Sequence, residues 1–202
     1  MPDVLGFTFR EKMLGPVALG QTDYQAGAQA GRAAGTTLTM HATIEIDDLD
    51  RFISDPQHPG SITGSVDYIP LGMGIASTRG VFNLFSPTGD PDMKYMVYEM
   101  GFSAGAGNYY LAGHKDVQKA PITDLWSATT TLYTLLHQGV DASGTVVGAG
   151  IITLDVADLL AMIPTMHAVN AKSPAEAAEA TARFGKFFLG ELWDTYMKKA
   201  RV

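Results

Sequence analysis

Five side chains able to do chemistry fall within segments of strand-like sequence: Asp67, Arg79, Glu99, His114 and Lys115. On the outer face of a strand such groups are simply solvated. Projecting into a closed barrel, a charge needs a partner or a ligand. Glu99 and Asp67 are the candidate general bases, because burial raises a carboxylate pKa towards neutrality and fits it for proton transfer. His114, or a tyrosine, is the candidate donor. Arg79 and Glu99 are the candidate cross-strand pair. Arg79, Glu99, Tyr95, Tyr109 and Tyr133 are the candidate ligand contacts, drawn with Tyr68, Tyr98 and Tyr110 from a supply of side chains that are apolar in body and polar at the tip.

Other chemistries are excluded by what the chain lacks. With 0 Cys there is no disulfide framework, thiolate zinc site or Cys nucleophile. The 5 histidines, His41, His58, His114, His137 and His167, show neither HxH nor HxxxH spacing, so no metal site is expected. No glycine fingerprint for a dinucleotide, phosphate loop or EF-hand occurs, and no cofactor is expected. Gly101-Phe102-Ser103-Ala104-Gly105 fits G-x-S-x-G by letter, but strand sequence and a further glycine turn follow it rather than a helix. Lys+Arg 14 against Asp+Glu 21 leaves a net charge of −7 with no basic run. That balance argues against nucleic acid and against anionic membrane surfaces. No apolar window is long enough for a membrane-spanning helix. The first residues carry charges within their apolar stretch and do not read as a secretory signal, so a cytoplasmic location is expected.

The elements that must position these groups are mostly strands. The chain has 202 residues, 46% of them apolar and 17% charged, enough for a core without covalent staples. It reads as one domain over 1–202. Leu38, Met40, Ala42, Ile44 and Ile46 alternate with Thr39, His41, Thr43 and Glu45, the period of a half-buried strand. Runs of the same kind recur at 4–14, 61–69, 75–85, 93–103, 107–115, 126–137 and 145–154, rich in residues that favour strands. Turn sequences separate them, and Asp141-Ala142-Ser143-Gly144 is the strongest hairpin signal. About eight strands joined by short loops must be antiparallel. The expected fold is therefore mainly β: an antiparallel barrel of about eight strands, lipocalin-like or calycin-like, with a sandwich as the alternative. The glycine-rich strands (Gly101, Gly105, Gly107, Gly113, Gly148, Gly150) favour the strong coiling of a barrel.

Helices are few. Ser173-Pro174-Ala175-Glu176 opens a C-terminal helix over 174–199, with Phe184, Phe188, Leu192 and Tyr196 recurring every fourth residue. Lys198, Lys199 and Arg201 suit the negative end of its dipole. That aromatic stripe must cover a barrel face or plug a barrel mouth. Residues 43–52 and 151–160 share a strand-to-helix grammar in which an Asp caps a short helix. The Gly, Ala and Gln stretch 25–35 is expected to be a flexible loop, and Trp126 a core residue.

A set of motifs recurs in order along the chain: Phe7-Thr8-Phe9-Arg10-Glu11-Lys12-Met13-Leu14-Gly15, Ile46-Asp47-Asp48-Leu49-Asp50-Arg51-Phe52, Gly80-Val81-Phe82-Asn83-Leu84-Phe85, Met93-Lys94-Tyr95, Leu111-Ala112-Gly113-His114-Lys115, Asp124-Leu125-Trp126 with Thr129-Thr130-Thr131-Leu132-Tyr133, and Phe184-Gly185-Lys186-Phe187-Phe188. Through them the chain resembles the non-flavin β-domain attached to cholesterol-oxidase-like flavoenzymes of the glucose-methanol-choline group. The resemblance implies an association with sterol-like or other lipid-like molecules, and a separate flavin-dependent oxidoreductase as a partner. It carries over no catalytic residue and no flavin chemistry, since the dinucleotide fingerprint belongs to another domain.

Three functions follow in order of weight. The first is a binding protein holding an apolar small molecule in a barrel cavity, which 10 adaptable Met side chains would suit. The second is a cofactor-independent isomerase, cyclase or hydrolase acting in that cavity. The third is an accessory protein that docks a flavoenzyme through strand edges or through the aromatic helix face.

Overall fold

In the computed structural model, residues 4–90, 92–118 and 129–197 are described. The strands are β1 (Gly6–Leu19), β2 (Thr37–Ile46), β3 (Pro59–Tyr68), β4 (Gly72–Ala76), β5 (Gly80–Pro87), β6 (Met93–Ala104), β7 (Gly107–Gln118), β8 (Thr131–Gln138), β9 (Thr145–Thr153) and β10 (His167–Val169). The helices are α1 (Tyr24–Ala34), α2 (Leu49–Ser54), α3 (Val156–Met162), which runs into a 3-10 turn (Ile163–Thr165), and α4 (Pro174–Met197). The Asp124-Leu125-Trp126 motif and the basic residues Lys198, Lys199 and Arg201 lie outside the described residues, as do the side chains of Leu192 and Tyr196.

The expected antiparallel barrel forms. Strands β1, β2, β3, β5, β6, β7, β8 and β9 pair in that order, and the ring closes where Leu14–Leu19 of β1 meets Gly148–Thr153 of β9. β1 is 14 residues long and serves two neighbours on one side: β9 along its second half and the short β10 along its first. β4 pairs with the second half of β3. Alternation decides which side chains enter the barrel. Phe7, Phe9 and Met13 of β1, Leu38, Met40 and Ile44 of β2, Met96, Met100 and Phe102 of β6, and Leu111 and Val117 of β7 are all buried in one continuous core.

The Asp141–Gly144 turn joins β8 to β9, with Asp141 Oδ1 accepting the Ser143 N–H at 2.9 Å. The two strand-to-helix junctions use the same cap. Asp48 accepts the Arg51 N–H at 2.9 Å to start α2, and Asp155 accepts the Asp158 N–H at 2.7 Å to start α3. Gly101–Gly105 ends β6 and enters a tight hairpin rather than a helix, and Ser103 Oγ donates to Asn108 Oδ1 at 2.8 Å, so this segment is not a nucleophile elbow.

Two expectations are corrected. Residues 25–35 form α1, not a flexible loop. Asp23 caps it by accepting the Ala26 N–H at 2.8 Å, and Gly35 ends it in the left-handed conformation at φ 66°. Its glycines serve close packing: a Cβ on Gly27 would stand 2.1 Å from the Ala149 carbonyl oxygen, and one on Gly31 2.7 Å from the Val17 nitrogen. Small residues let the helix lie directly on the β1–β9 seam. The run 75–85 is likewise not one strand. It breaks at Ser77–Arg79, where the chain leaves β4 and re-enters the barrel as β5.

Candidate functional site

Among the described residues, one cluster of charged and hydroxyl side chains lies inside the barrel. On β1 the inward register reads Phe7, Phe9, Glu11, Met13, so a carboxylate occupies an apolar position. On β7 it reads Leu111, Gly113, Lys115, Val117, and on β6 Met96, Tyr98, Met100. β6 stands diametrically opposite β1 in the eight-strand ring. Glu11 therefore reaches across the lumen to both of the other groups. Tyr98 Oη donates to Glu11 Oε2 at 3.0 Å and Lys115 Nζ donates to Glu11 Oε1 at 3.0 Å. Lys115 Nζ also sits 4.6 Å from the centre of the Tyr98 ring, a cation–π contact.

The three are almost out of solvent, at 5% exposure for Glu11, 2% for Lys115 and 3% for Tyr98. Each carboxylate oxygen receives one donor, the condition for tolerating a buried pair. Burial, followed by the Glu11 charge and hydrogen bond, pushes the Tyr98 hydroxyl well above its usual range. Tyr98 is thus a fixed donor at neutral pH.

Above this cluster is an apolar cavity of about 380 Å³. Phe9, Phe82, Leu84, Met96 and Leu154 form its walls with Thr129 and Thr130, and Leu159, Met162, Met166, Phe184 and Phe188 its roof. The roof explains the aromatic stripe of the C-terminal helix. Phe184, 4% exposed, stacks on Phe7 with ring centres 4.5 Å apart, and Phe188 packs 5.5 Å from Phe85. Ser173 Oγ accepts the Glu176 N–H at 3.1 Å to start α4. Ion pairs Arg183–Asp50 and Lys94–Glu191 hold the helix across the barrel mouth. A second, larger groove of about 600 Å³ lies outside, between β1, β2 and α3. Arg10, Lys12, His41 and Asp158 line it, and a Lys12–Asp158 ion pair at 2.9 Å crosses it. It is an open surface groove with a mixed lining.

Of the residues proposed from sequence, only His114, Tyr95 and Tyr133 are brought together, and they meet outside the barrel. Asp67 faces outward from β3, bonded to His41 Nε2 at 3.0 Å and to the Gly74 N–H at 2.6 Å. These bonds, the Gly74 amide first, hold its carboxyl below the usual range, the reverse of what a neutral-pH base needs. Glu99 also faces outward and accepts the Tyr110 hydroxyl at 2.8 Å. Arg79 does not pair with Glu99: it bonds Asp47 at 2.7 Å on the barrel exterior, with Glu45 at 3.7 Å. The break before β5 sets Arg79 beside the end of β2 instead. His114, Tyr95 and Tyr133 meet on the outer wall, where the His114 ring lies 5.1 Å from Tyr95 and 5.7 Å from Tyr133, with Tyr24 of α1 beside them. Of the candidate ligand contacts only Tyr109 turns inward. It stacks on Phe102 at the far end of the barrel from the cavity.

The parity of each strand decides these outcomes. Lys115 was among the strand charges weighed from sequence, and it is the one that points inward. Glu11 was not singled out. Its signal is the alternation Phe7, Phe9, Glu11, Met13 against Thr8, Arg10, Lys12, which places the carboxylate on the core face. Among the described residues, no three His, Asp or Glu side chains gather as metal ligands, and no helix is long and apolar enough to cross a membrane. Comparison of the chain with protein-family models, with curated proteins and with solved structures found no match.

Proposed function

We propose that this protein binds a small apolar, lipid-like molecule in the barrel cavity beneath α4. One observation carries the reading: an apolar chamber of about 380 Å³ has the buried Glu11–Lys115–Tyr98 cluster as its polar floor. Ligand sites are typically apolar chambers in which a few placed polar groups fix orientation. At roughly 30 Å³ per water-sized group, the space takes about a dozen such groups. That matches a medium-chain or monoterpenoid-sized molecule and is less than a complete sterol fills.

The test is native mass spectrometry of the purified chain beside its denatured spectrum, with titration by the neutral fluorescent probe 1-naphthylamine, which fits the space. One probe per chain, lost when Leu154→Phe fills the chamber, supports the reading. Saturable binding that Leu154→Phe leaves unchanged places the ligand elsewhere and defeats it.

A second reading, a cofactor-independent enzyme acting on such a ligand, is favoured by the same cluster, because hydroxyl, carboxylate and ammonium in contact are the parts of an acid–base catalyst. It moves from Glu99, Asp67 and His114 to Glu11, Tyr98 and Lys115. Loss of turnover in Lys115→Met with probe binding retained would separate it from plain binding. Docking to a flavoenzyme, the association implied by the sequence resemblance, would have to use another surface, because the aromatic face of α4 is already packed on the barrel mouth.

A further inference from the structure

The polar floor of the cavity sets a rule on what sits over it. Glu11 and Lys115 are one negative and one positive charge, both buried, so the cluster is neutral as it stands. An ammonium has three donor hydrogens. At Lys115 one goes to Glu11 Oε1 and the Tyr98 ring faces the nitrogen at 4.6 Å, and Lys115 is among the residues that line the cavity. Tyr98 spends its one hydrogen on Glu11 Oε2. Thr129 and Thr130 line the same cavity, so what the charged cluster itself offers to an occupant is a donor from Lys115.

We infer that the cavity selects an apolar molecule carrying one uncharged oxygen, a hydroxyl or carbonyl, at its buried end, and rejects the corresponding carboxylate. An uncharged oxygen accepts from Lys115 and leaves the net charge of the cluster at zero. A carboxylate would add a second negative charge for the same single ammonium, in a chamber walled by Phe9, Phe82 and Met96. The surplus charge would be stranded away from water, which costs far more than one hydrogen bond returns. A pure hydrocarbon fills the space but leaves the donor unanswered. This inference rests on the binding reading above and refines it.

The experiment is displacement of 1-naphthylamine from the full chain at neutral pH by decanol, decanal, decane and decanoate. Decanol and decanal are expected to compete at concentrations about tenfold or more below decanoate, and below decane. In Glu11→Gln the cluster carries a net positive charge, so decanoate is expected to gain at least about tenfold over its wild-type value. In Lys115→Met the advantage of decanol over decane is expected to vanish. The wild-type comparison needs no variant. Decanoate competing as well as decanol in the wild type overturns the inference while leaving the binding reading standing. Failure of the probe to bind at all defeats the binding reading first, and this inference with it.

Discussion

Glu11 and Lys115 are 104 residues apart in the chain and 3.0 Å apart in the barrel, joined across the lumen and shared with Tyr98. A buried pair is held less by the attraction itself than by the cost of parting it. Lys115→Met leaves Glu11 in the core without its cation and is expected to destabilise the protein by about 3–5 kcal/mol. The double change Glu11→Leu with Lys115→Met removes both charges and is expected to recover most of that loss. Urea unfolding of the two single variants and the double variant checks it. A double variant no more stable than Lys115→Met would show that the pair itself, rather than the stranded charge, carries the stability.

The Tyr98 hydroxyl sets a limit at alkaline pH. Its folded pKa is raised, first by burial and then by Glu11, above the unfolded value of about 10. A raised folded pKa means that the native state holds the proton more tightly. The contribution is complete below about pH 10 and falls away as pH rises from there towards the folded value, because the unfolded chain ionises first. Stability is therefore expected to decline above about pH 10, with a shallower slope in Tyr98→Phe. Chemical unfolding at stepped alkaline pH measures both slopes, and equal slopes would contradict the assignment.

Glycines in helices are expected to divide by what lies over them. Gly27→Ala sets a methyl 2.1 Å from the Ala149 carbonyl oxygen and forces α1 off the β1–β9 seam. A loss of about 1–3 kcal/mol is expected, as for other overpacked sites. Gly185 in α4 has nothing within 4 Å of an added Cβ. Gly185→Ala is expected to add about 0.5–1 kcal/mol through helix propensity. Thermal unfolding of the two variants should move in opposite directions.

Phe184 is the pin of the cavity roof. It stacks on Phe7 at 4.5 Å and lies 5.8 Å from Phe9. Phe184→Ala is expected to cost about 3–5 kcal/mol and to loosen α4 from the barrel mouth. Dissociation of a bound probe should accelerate in this variant, measured by stopped-flow fluorescence. An unchanged rate would mean that ligand enters and leaves by another route.

The strand pattern was plain in the residues. Alternation such as Leu38, Met40, Ala42, Ile44, Ile46 admits one reading, because a strand with one buried face repeats every second residue. The capped starts at Asp48, Asp155 and Ser173 were equally legible, since a cap and the amide it serves are three residues apart. Helix α1 was missed because its Gly and Ala content looks like flexibility until the seam of β1 and β9 is there to pack against.

The candidate site was legible only in part. Parity along β1 marks Glu11 as inward and parity along β7 marks Lys115, because side-chain direction in a strand is local. That these two groups meet depends on which strands become neighbours and on where the ring closes. Leu14–Leu19 meeting β9 bends the sheet into a barrel and brings β1 opposite β6. The same closure put Glu99, Asp67 and His114 on the outer wall, each with a surface partner, and left Arg79 with Asp47. Most strands, the turns, the caps and the apolar stripe of α4 are legible in the residues because neighbours a few positions away govern them. Which charges are buried together depends on contacts across about half the chain, and no local periodicity encodes those.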